Sequence, residues 1–569
     1  MTRKSKFWLL VAGGLAVLLV LILGMAALIS GPAVRSHSLL VLELSGEIEE
    51  EAPASPFERL FEGRPDTLLG LRAVLRSAAA DPRISALLVR VGGLDVGLAK
   101  ADELREQLRR FQESGKPAAA LVEFGGTLDY YVAAACRRVY LVPEGMLVLR
   151  GVLSDVPYLR GTLDKLRIQP DFIAVGRYKT APEIFTRGDM SPAQREVVES
   201  ILDQAYARLR DGIASARGLE PVRVGELIDR ALFRGPAAVE AGLADGALYE
   251  DQLVEQLSEE IGADLTRLRH RAYRRRARAD QRGVRVAVVY ATGEIHSGRG
   301  ELGPAGGRIL GSDRLAESLR EIREDAAVKG VVLRIDSPGG MSTAADVIWR
   351  EVSLTREAKP VVVSMSDTAA SGGYWIATPA SRVVAEPMTL TGSIGVFVGK
   401  FNLQGLYRWA GMNRELVKRG ANADLFSDVT AFTPMQRAQV QREMDGVYRE
   451  FVSRVASGRG LQPEAVEQVA QGRVWTGIQA RERGLVDELG GFDQALSEVR
   501  RLAGIAPEAP LRLEYHPRER GLLESLAAGD FARAGRAIGR LASWLETAAR
   551  LLEGTGIESR YLGPLPTAP

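Results

Sequence analysis

The chain is poor in the residues most often asked to do chemistry. A single cysteine, Cys136, stands among 569 residues, which excludes an intrachain disulfide, a structural zinc site and a lipid-acceptor motif. It lies in the apolar helical pattern "YYVAAACRRV" and reads as a buried small hydrophobe. The four histidines, His37, His270, His296 and His516, lie outside every repeated motif, so the pattern does not favour a Ser-His-Asp triad. Ten of the 74 basic residues are lysine, leaving 64 arginines, which stay protonated at physiological pH and cannot act as bases. A net charge of +2 gives no general basic excess for nucleic acid.

Long hydrophobic runs are scarce too, with one exception. After the basic "MTRKSK" comes "FWLLVAGGLAVLLVLILGMAALI", Phe7 to Ile29, without a charge. At ~1.5 Å per residue this run matches a ~30 Å hydrocarbon core. It exceeds the roughly 7–15 apolar residues of a secretory signal. The sequence therefore predicts a cytoplasmic segment (1–6) and an uncleaved transmembrane anchor (7–29) in the inner membrane. Arg3, Lys4 and Lys6 remain inside, which puts the rest of the chain on the periplasmic side, with membrane lipid as a partner.

What is abundant is self-similarity. "ALLVRVGGLDVGLAK" from Ala86 matches "GVVLRIDSPGGMSTA" from Gly330, and "VLELSGEI" from Val41 matches "VVYATGEI" from Val288. Arg90 pairs with Arg334 and Tyr130 with Tyr374, a spacing of 244 residues in each case. So long a period means two duplicated domains rather than a solenoid. Each alternates short β-branched runs with amphipathic helical stretches, which predicts an α/β fold with a mostly parallel sheet. The expected organisation is a first repeat domain at 38–265, a basic linker at 266–284, a second repeat domain at 285–505 and a helical tail at 506–569. "SPAQ" from Ser191 and "TPMQ" from Thr433 each predict a capped helix start with proline in the first turn.

One short stretch stands out against this background. "SDTAASGGYWIAT" presents Ser371 at a strand-to-helix turn among residues too small to cover it. Serine needs a base. With histidine disfavoured, lysine is the candidate, and Lys179 in "GRYKTAPEIF" follows an apolar strand; Lys116, Lys329 and Lys359 read as ordinary solvated lysines near strand starts. The two halves differ at these positions. The first half has Thr127 where the second has Ser371; the second has Ala421 where the first has Lys179. Each half keeps one member of a pair, as one composite site would require. "RIDSPGG", Arg334 to Gly340, adds glycines whose N–H groups, with that of Gly372, would form an oxyanion hole. The first half has Asp95 and Val96 in place of Gly339 and Gly340, so its copy reads as inactive.

"RIDSPGG", "SDTAASGGYWIAT", "LTGSIGVF", "GRYKTAPEIF" and "GRVWTGIQARERGLVDELGG" together resemble the long form of the bacterial signal peptide peptidases, or protease IV, over residues 38–505. The resemblance implies duplicated Clp-protease/crotonase-like domains behind a membrane helix. It implies a serine peptidase with Ser371 as nucleophile, Lys179 as general base, Gly339, Gly340 and Gly372 around the oxyanion, and Ser393 orienting the lysine. It further implies hydrophobic peptide substrates such as released signal peptides, a homotetramer, and no metal or cofactor. Asp336 stands where the family often has Asn. Two other readings compete: a crotonase-like acyl-CoA enzyme, whose sites rely on glutamates, and a non-catalytic membrane-anchored peptide-binding scaffold.

Overall fold

The computed structural model describes residues 34–51, 65–274, 282–300 and 308–517. The expected anchor at 7–29, residues 275–281 of the basic linker and the tail beyond 517 lie outside the described residues. The chain divides into two units, and everything below concerns the one formed by Met1–Glu51 and Asp66–Pro517.

β-branched runs form its strands. In the first half, Thr266–Arg269, Ser38–Glu47, Ile84–Asp95, Ala118–Gly126, Arg138–Val148 and Leu232–Arg234 lie side by side in that order. In the second half the order is Leu511–His516, Val284–Thr292, Val328–Ser337, Val361–Ala370, Leu390–Gly392 and Val474–Thr476. All neighbours in these two series are parallel except the last pair of each, which is antiparallel. The expected parallel sheets are therefore present, and the duplication extends to the antiparallel closing strand.

Both faces of each sheet are covered, which is why the central strands are apolar on both sides. In the first half Leu253 and Leu257 of the helix Glu250–Ile261 cover Leu39, Val41 and Leu88. In the second, Phe492, Ala495 and Val499 of the helix Phe492–Leu502 do the same for Val286, Val288 and Val332. Full burial of one such Leu, Val or Phe contributes ~1.5–3 kcal/mol. Cys136 is buried in the first core, and burial pushes its thiol up to about 12.

Two sheet-edge strands fall outside the domain limits expected above. Thr266–Arg269, assigned to the linker, pairs with Ser38–Val41; Leu511–His516, assigned to the tail, pairs with Val284–Val289. Each half thus ends on an equivalent edge strand. These strands are short and flanked by charge, so they carry little periodic signal.

The halves join through a ribbon and an ionic seam. Gln169–Val175 of the first half pairs antiparallel with Val396–Asn402 of the second. In the seam Arg334, fully buried, donates to Glu50 at 2.9 Å, Glu103 at 2.8 Å and Ser364 at 2.9 Å. Burial with two carboxylates demands such complete pairing, because an unpaired charge there costs several kcal/mol. The capped helix starts form as expected: Ser191 Oγ accepts from Gln194 N at 3.1 Å, and Thr433 Oγ1 from Gln436 N at 3.2 Å.

Candidate active site

The strand Val361–Ala370 runs out of the second sheet directly into Ser371, which caps the helix Gly372–Ala377 with φ 53° and ψ −119°. Positive φ in a non-glycine residue is uncommon and costs of order 1–3 kcal/mol. Ser371 N donates to Gly392 O at 2.9 Å, which helps hold the turn. Ser393 has φ 50°, so two of the six described non-glycine residues with positive φ face one another here.

The ribbon between the halves delivers the other components. Lys179 comes four residues after its first-half strand, and Ser393 three residues before its second-half strand. Lys179 Nζ lies 3.1 Å from Ser371 Oγ, 2.9 Å from Ser393 Oγ and 3.1 Å from Ser393 O. The lysine is only 7% exposed, and burial lowers its pKa from 10.5 to about 8, because desolvation disfavours the ammonium form. Among the described residues no carboxylate opposes that shift, so the neutral amine gains population as pH approaches about 8.

The glycines have separable parts. Gly339, at φ 101°, lets the loop approach the serine: a Cβ there would sit 2.6 Å from Gly372 N and 2.9 Å from Ser371 Cβ. Its own N–H is engaged by Ser337 Oγ at 3.2 Å. Gly340 forms a bridge with Ile295 that uses Gly339 O and Met341 N, leaving the Gly340 N–H outside it. A Cβ on Gly340 would lie 2.1 Å from Ile295 O. Gly372 opens a helix, so its N–H has no intrahelical acceptor. Two backbone donors, Gly340 and Gly372, thus stand beside the serine, as an oxyanion requires.

The equivalent corner of the first half is plugged by its own side chains. Asp129 accepts from Leu94 N at 2.8 Å and from Gly126 N at 2.7 Å. Thr127 Oγ1 donates to Arg150 O at 2.6 Å and accepts from Arg150 N at 2.7 Å. Ala421 lies in an exposed turn. None of the four histidines bonds to Ser371; His270, for example, is buried against Asp66 at 3.0 Å.

Several residues that support the site escape sequence reading. Gly472, at φ 78°, packs so closely under Lys179 that a Cβ there would meet its N at 2.5 Å. Gln471 O accepts from Tyr178 N at 2.7 Å, and Arg473 O from Ser393 N at 2.7 Å. One turn of the second half therefore seats both the lysine loop and the Ser393 loop. Asp336, just upstream of the glycines, pairs with Lys100 of the first half at 2.9 Å. Burial outweighs that pairing and pushes its carboxyl up to about 6. The only sequence signal for the turn at 471–473 is "GRVWTG", which opens the closing segment of the resemblance.

Comparison with known proteins gives a consistent pattern. The model of peptidase family S49 matches residues 110–264 and 353–506, one stretch in each half. The chain is 33% identical to the chloroplastic serine protease SPPA of Arabidopsis thaliana, over 83% of this chain and 70% of that one. It is 32% identical to protease 4 of Salmonella typhi, over 86% of this chain and 82% of that one. Protease 4 of Haemophilus influenzae is 29% identical, over 75% and 72%. A solved ClpP1 mutant from Listeria monocytogenes aligns over 37% of this chain with 13% identity and a TM-score of 0.24, too low to speak to the fold.

Proposed function

We propose, from the premise that this chain belongs to peptidase family S49 and is a serine peptidase, that Ser371 and Lys179 form its catalytic dyad and that its substrates are hydrophobic peptides. Neutral Lys179 takes the Ser371 proton as Oγ attacks the scissile carbonyl. The carbonyl oxygen, now negative, accepts from the Gly340 and Gly372 N–H groups. Lysine returns its proton to the leaving amine, the C–N bond breaks, and an acyl-serine remains. Water then attacks the ester, with Lys179 again as base, and frees the acid and Ser371. Ser393 holds the lysine amine on line throughout. The observation that carries this reading is the 3.1 Å contact from Lys179 Nζ to Ser371 Oγ, made between residues 192 apart in the chain.

The expected Clp-protease/crotonase-like architecture belongs to the same proposal, supported by the two parallel α/β halves and the turn that presents Ser371. Hydrophobic specificity is supported by Met341, 47% exposed and next to Gly340, and by the apolar segment at 7–29, which would keep the site near a bilayer. With that segment as anchor, the catalytic part lies on the periplasmic side of the inner membrane. The test compares kcat/KM for a signal-peptide-like hydrophobic peptide and a polar peptide of equal length. At least a tenfold preference for the first is expected; equal rates would remove the hydrophobic reading and leave the peptidase.

A further inference from the structure

Two adjacent second-half strands lead to the reacting groups, and the register between them slips just before they arrive. Val328–Ser337 runs toward the oxyanion glycines and Val361–Ala370 toward Ser371. Their parallel pairing matches Arg334 with Ser364 and Ile335 with Met365, then resumes at Ser337 with Ala369. At the slip Asp336 alone stands opposite Ser366, Asp367 and Thr368. Asp336 lies four residues before Gly340, and Asp367 four before Ser371. In the first half the equivalent pairing stops at Arg90 with Leu121. Irregularities of this kind recur beside active sites, where they re-aim a side chain.

The slip is held from the first half. Asp336 Oδ1 accepts from Thr368 N at 3.1 Å and so spans it. Lys100, only 8% exposed, places its Nζ 2.9 Å from Asp336 Oδ2 and 3.7 Å from Asp367 Oδ2. The start of its helix, Leu98–Gln112, also meets Asp367: Gly97 N and Lys100 N each donate to that carboxylate at 3.0 Å. The approach is close, since a Cβ on Gly97 would lie 2.3 Å from Asp367 Cγ. Two residues further back along the first strand and one along the second, Glu50 of the first half accepts from Arg334 and from Ser366 Oγ.

The 244-residue spacing shows that this pairing is no relic of the duplication. The counterpart of Lys100 is Ala344, and that of Asp336 is Gly92. Asp367 corresponds to Glu123, which pairs with Arg90 of its own half at 2.7 Å. As with Ser371 and Lys179, one half supplies one partner and the other half the other.

Two carboxylates held close on neighbouring strands repel. A cation between them, with a helix N-terminus against one, offsets that repulsion. Displacement of Asp336 passes directly to the glycines. Asp336 O accepts from Gly293 N at 2.9 Å; Ser337 Oγ donates to Gly293 O at 2.6 Å and accepts from Gly339 N at 3.2 Å. A Cβ on Gly373 would lie 2.6 Å from Ser337 O, so this strand end packs against the turn that presents Ser371.

We propose that Lys100 is a positioning residue of the peptidase: by clamping Asp336 and Asp367 across the slipped register, it fixes the separation between the oxyanion amides and Ser371 Oγ. It does not touch the dyad and acts through the two aspartates. The inference rests on the Ser371–Lys179 reading and gives the first half a second part in the reaction besides the base.

The test measures kcat and KM on a hydrophobic peptide for the full chain, Lys100→Met, Asp336→Asn and the double variant, at a temperature where each is folded by circular dichroism. Affinities for a peptide aldehyde, whose hemiacetal oxygen must enter the oxyanion site, and for the matching peptide alcohol are measured on the same samples. Lys100→Met is expected to lower kcat at least tenfold with KM changed less than threefold, and to lower the aldehyde-to-alcohol affinity ratio by a similar factor. Each single change strands a buried charge, so the double variant should recover at least threefold of the kcat lost by Lys100→Met. A folded Lys100→Met with wild-type kcat and aldehyde affinity would overturn the proposal, even if its stability fell. If Lys100→Met does not fold, a folded Asp336→Asn with those wild-type values would overturn it equally, and failure of both to fold would leave the pair a structural part only. Ser371→Ala is run alongside. Wild-type activity lost in Ser371→Ala confines any such failure to Lys100, whereas activity retained there removes the dyad reading and this inference with it.

Discussion

Gly472 lies against the backbone of Lys179, close enough that a single added methyl group would sit 2.5 Å from the lysine N and 2.6 Å from its Cβ. The second half thus shapes the seat of a base that the first half supplies. Gly472→Ala must push the lysine loop away, and its φ of 78° adds strain. A displacement near 1 Å costs about 100-fold in rate. The expected result is a folded variant with kcat lowered by about that factor and KM changed little, checked by steady-state kinetics on a peptide substrate.

Lys179 should also appear as a cost to stability. Its pKa falls from 10.5 to about 8 on burial, which corresponds to about 3 kcal/mol held against the ammonium form. Between those values the unfolded chain binds more protons than the folded one, so stability rises with pH through that window. Lys179→Met should therefore be inactive yet more stable at pH 7, by an amount up to about 3 kcal/mol. The advantage should shrink as pH rises above 8. Denaturant melts of both proteins at pH 7 and 9.5 read this directly; a variant less stable at both would contradict it.

Ser393 Oγ accepts from the Lys179 amine at 2.9 Å and so favours its charged form. Ser393→Ala should move the rising limb of the pH–rate profile below that of wild type. With lysine orientation loosened but the base retained, kcat should fall by part of the roughly 10²–10⁴-fold that a positioned general base supplies. A lower kcat with the limb unmoved would assign Ser393 a purely structural part.

Gly340→Ala sets a Cβ against Ile295 O and tilts one of the two candidate oxyanion donors. Loss of one such donor costs ~2.7–4 kcal/mol of barrier, or about 100- to 1000-fold in kcat. An active Gly340→Ala enzyme would place the oxyanion elsewhere.

Asp336 carries a carboxyl raised to about 6 by burial, despite Lys100 beside it. Between the ordinary carboxylate range and pH 6 the folded chain holds a proton that the unfolded chain releases. The stability supplied by this group therefore falls as pH rises through that window. Asp336→Asn should flatten that part of the stability–pH curve, measured by thermal unfolding between pH 4 and 7.

Local pattern made much of the fold legible. Apolar periodicity marked the parallel strands, Ser191 and Thr433 marked their helices, and the comparison of Ser371 with Thr127 and Lys179 with Ala421 pointed to a site shared by the halves. Contacts made across the halves left no such trace. The seat under Lys179 depends on Gly472, almost 300 residues away. Lys100 has no feature that announces Asp336. Lys116 and Lys359, read as solvated, instead donate to helix-end carbonyls, at 2.6 Å to Asp81 O and 2.8 Å to Asp325 O. Their matched positions held the clue, because duplicated lysines at strand starts face duplicated helix ends. The edge strands at Thr266–Arg269 and Leu511–His516 were hidden by their shortness and charge.

The most direct test of the dyad is the pH dependence of hydrolysis of a hydrophobic fluorogenic peptide by wild type, Ser371→Ala and Lys179→Ala, with folding of each verified by circular dichroism. The account predicts a wild-type rate that climbs through pH of about 8 as Lys179 loses its proton, and two folded variants without activity. A Lys179→Ala enzyme that keeps the wild-type rate and profile would contradict it, and would place the base elsewhere.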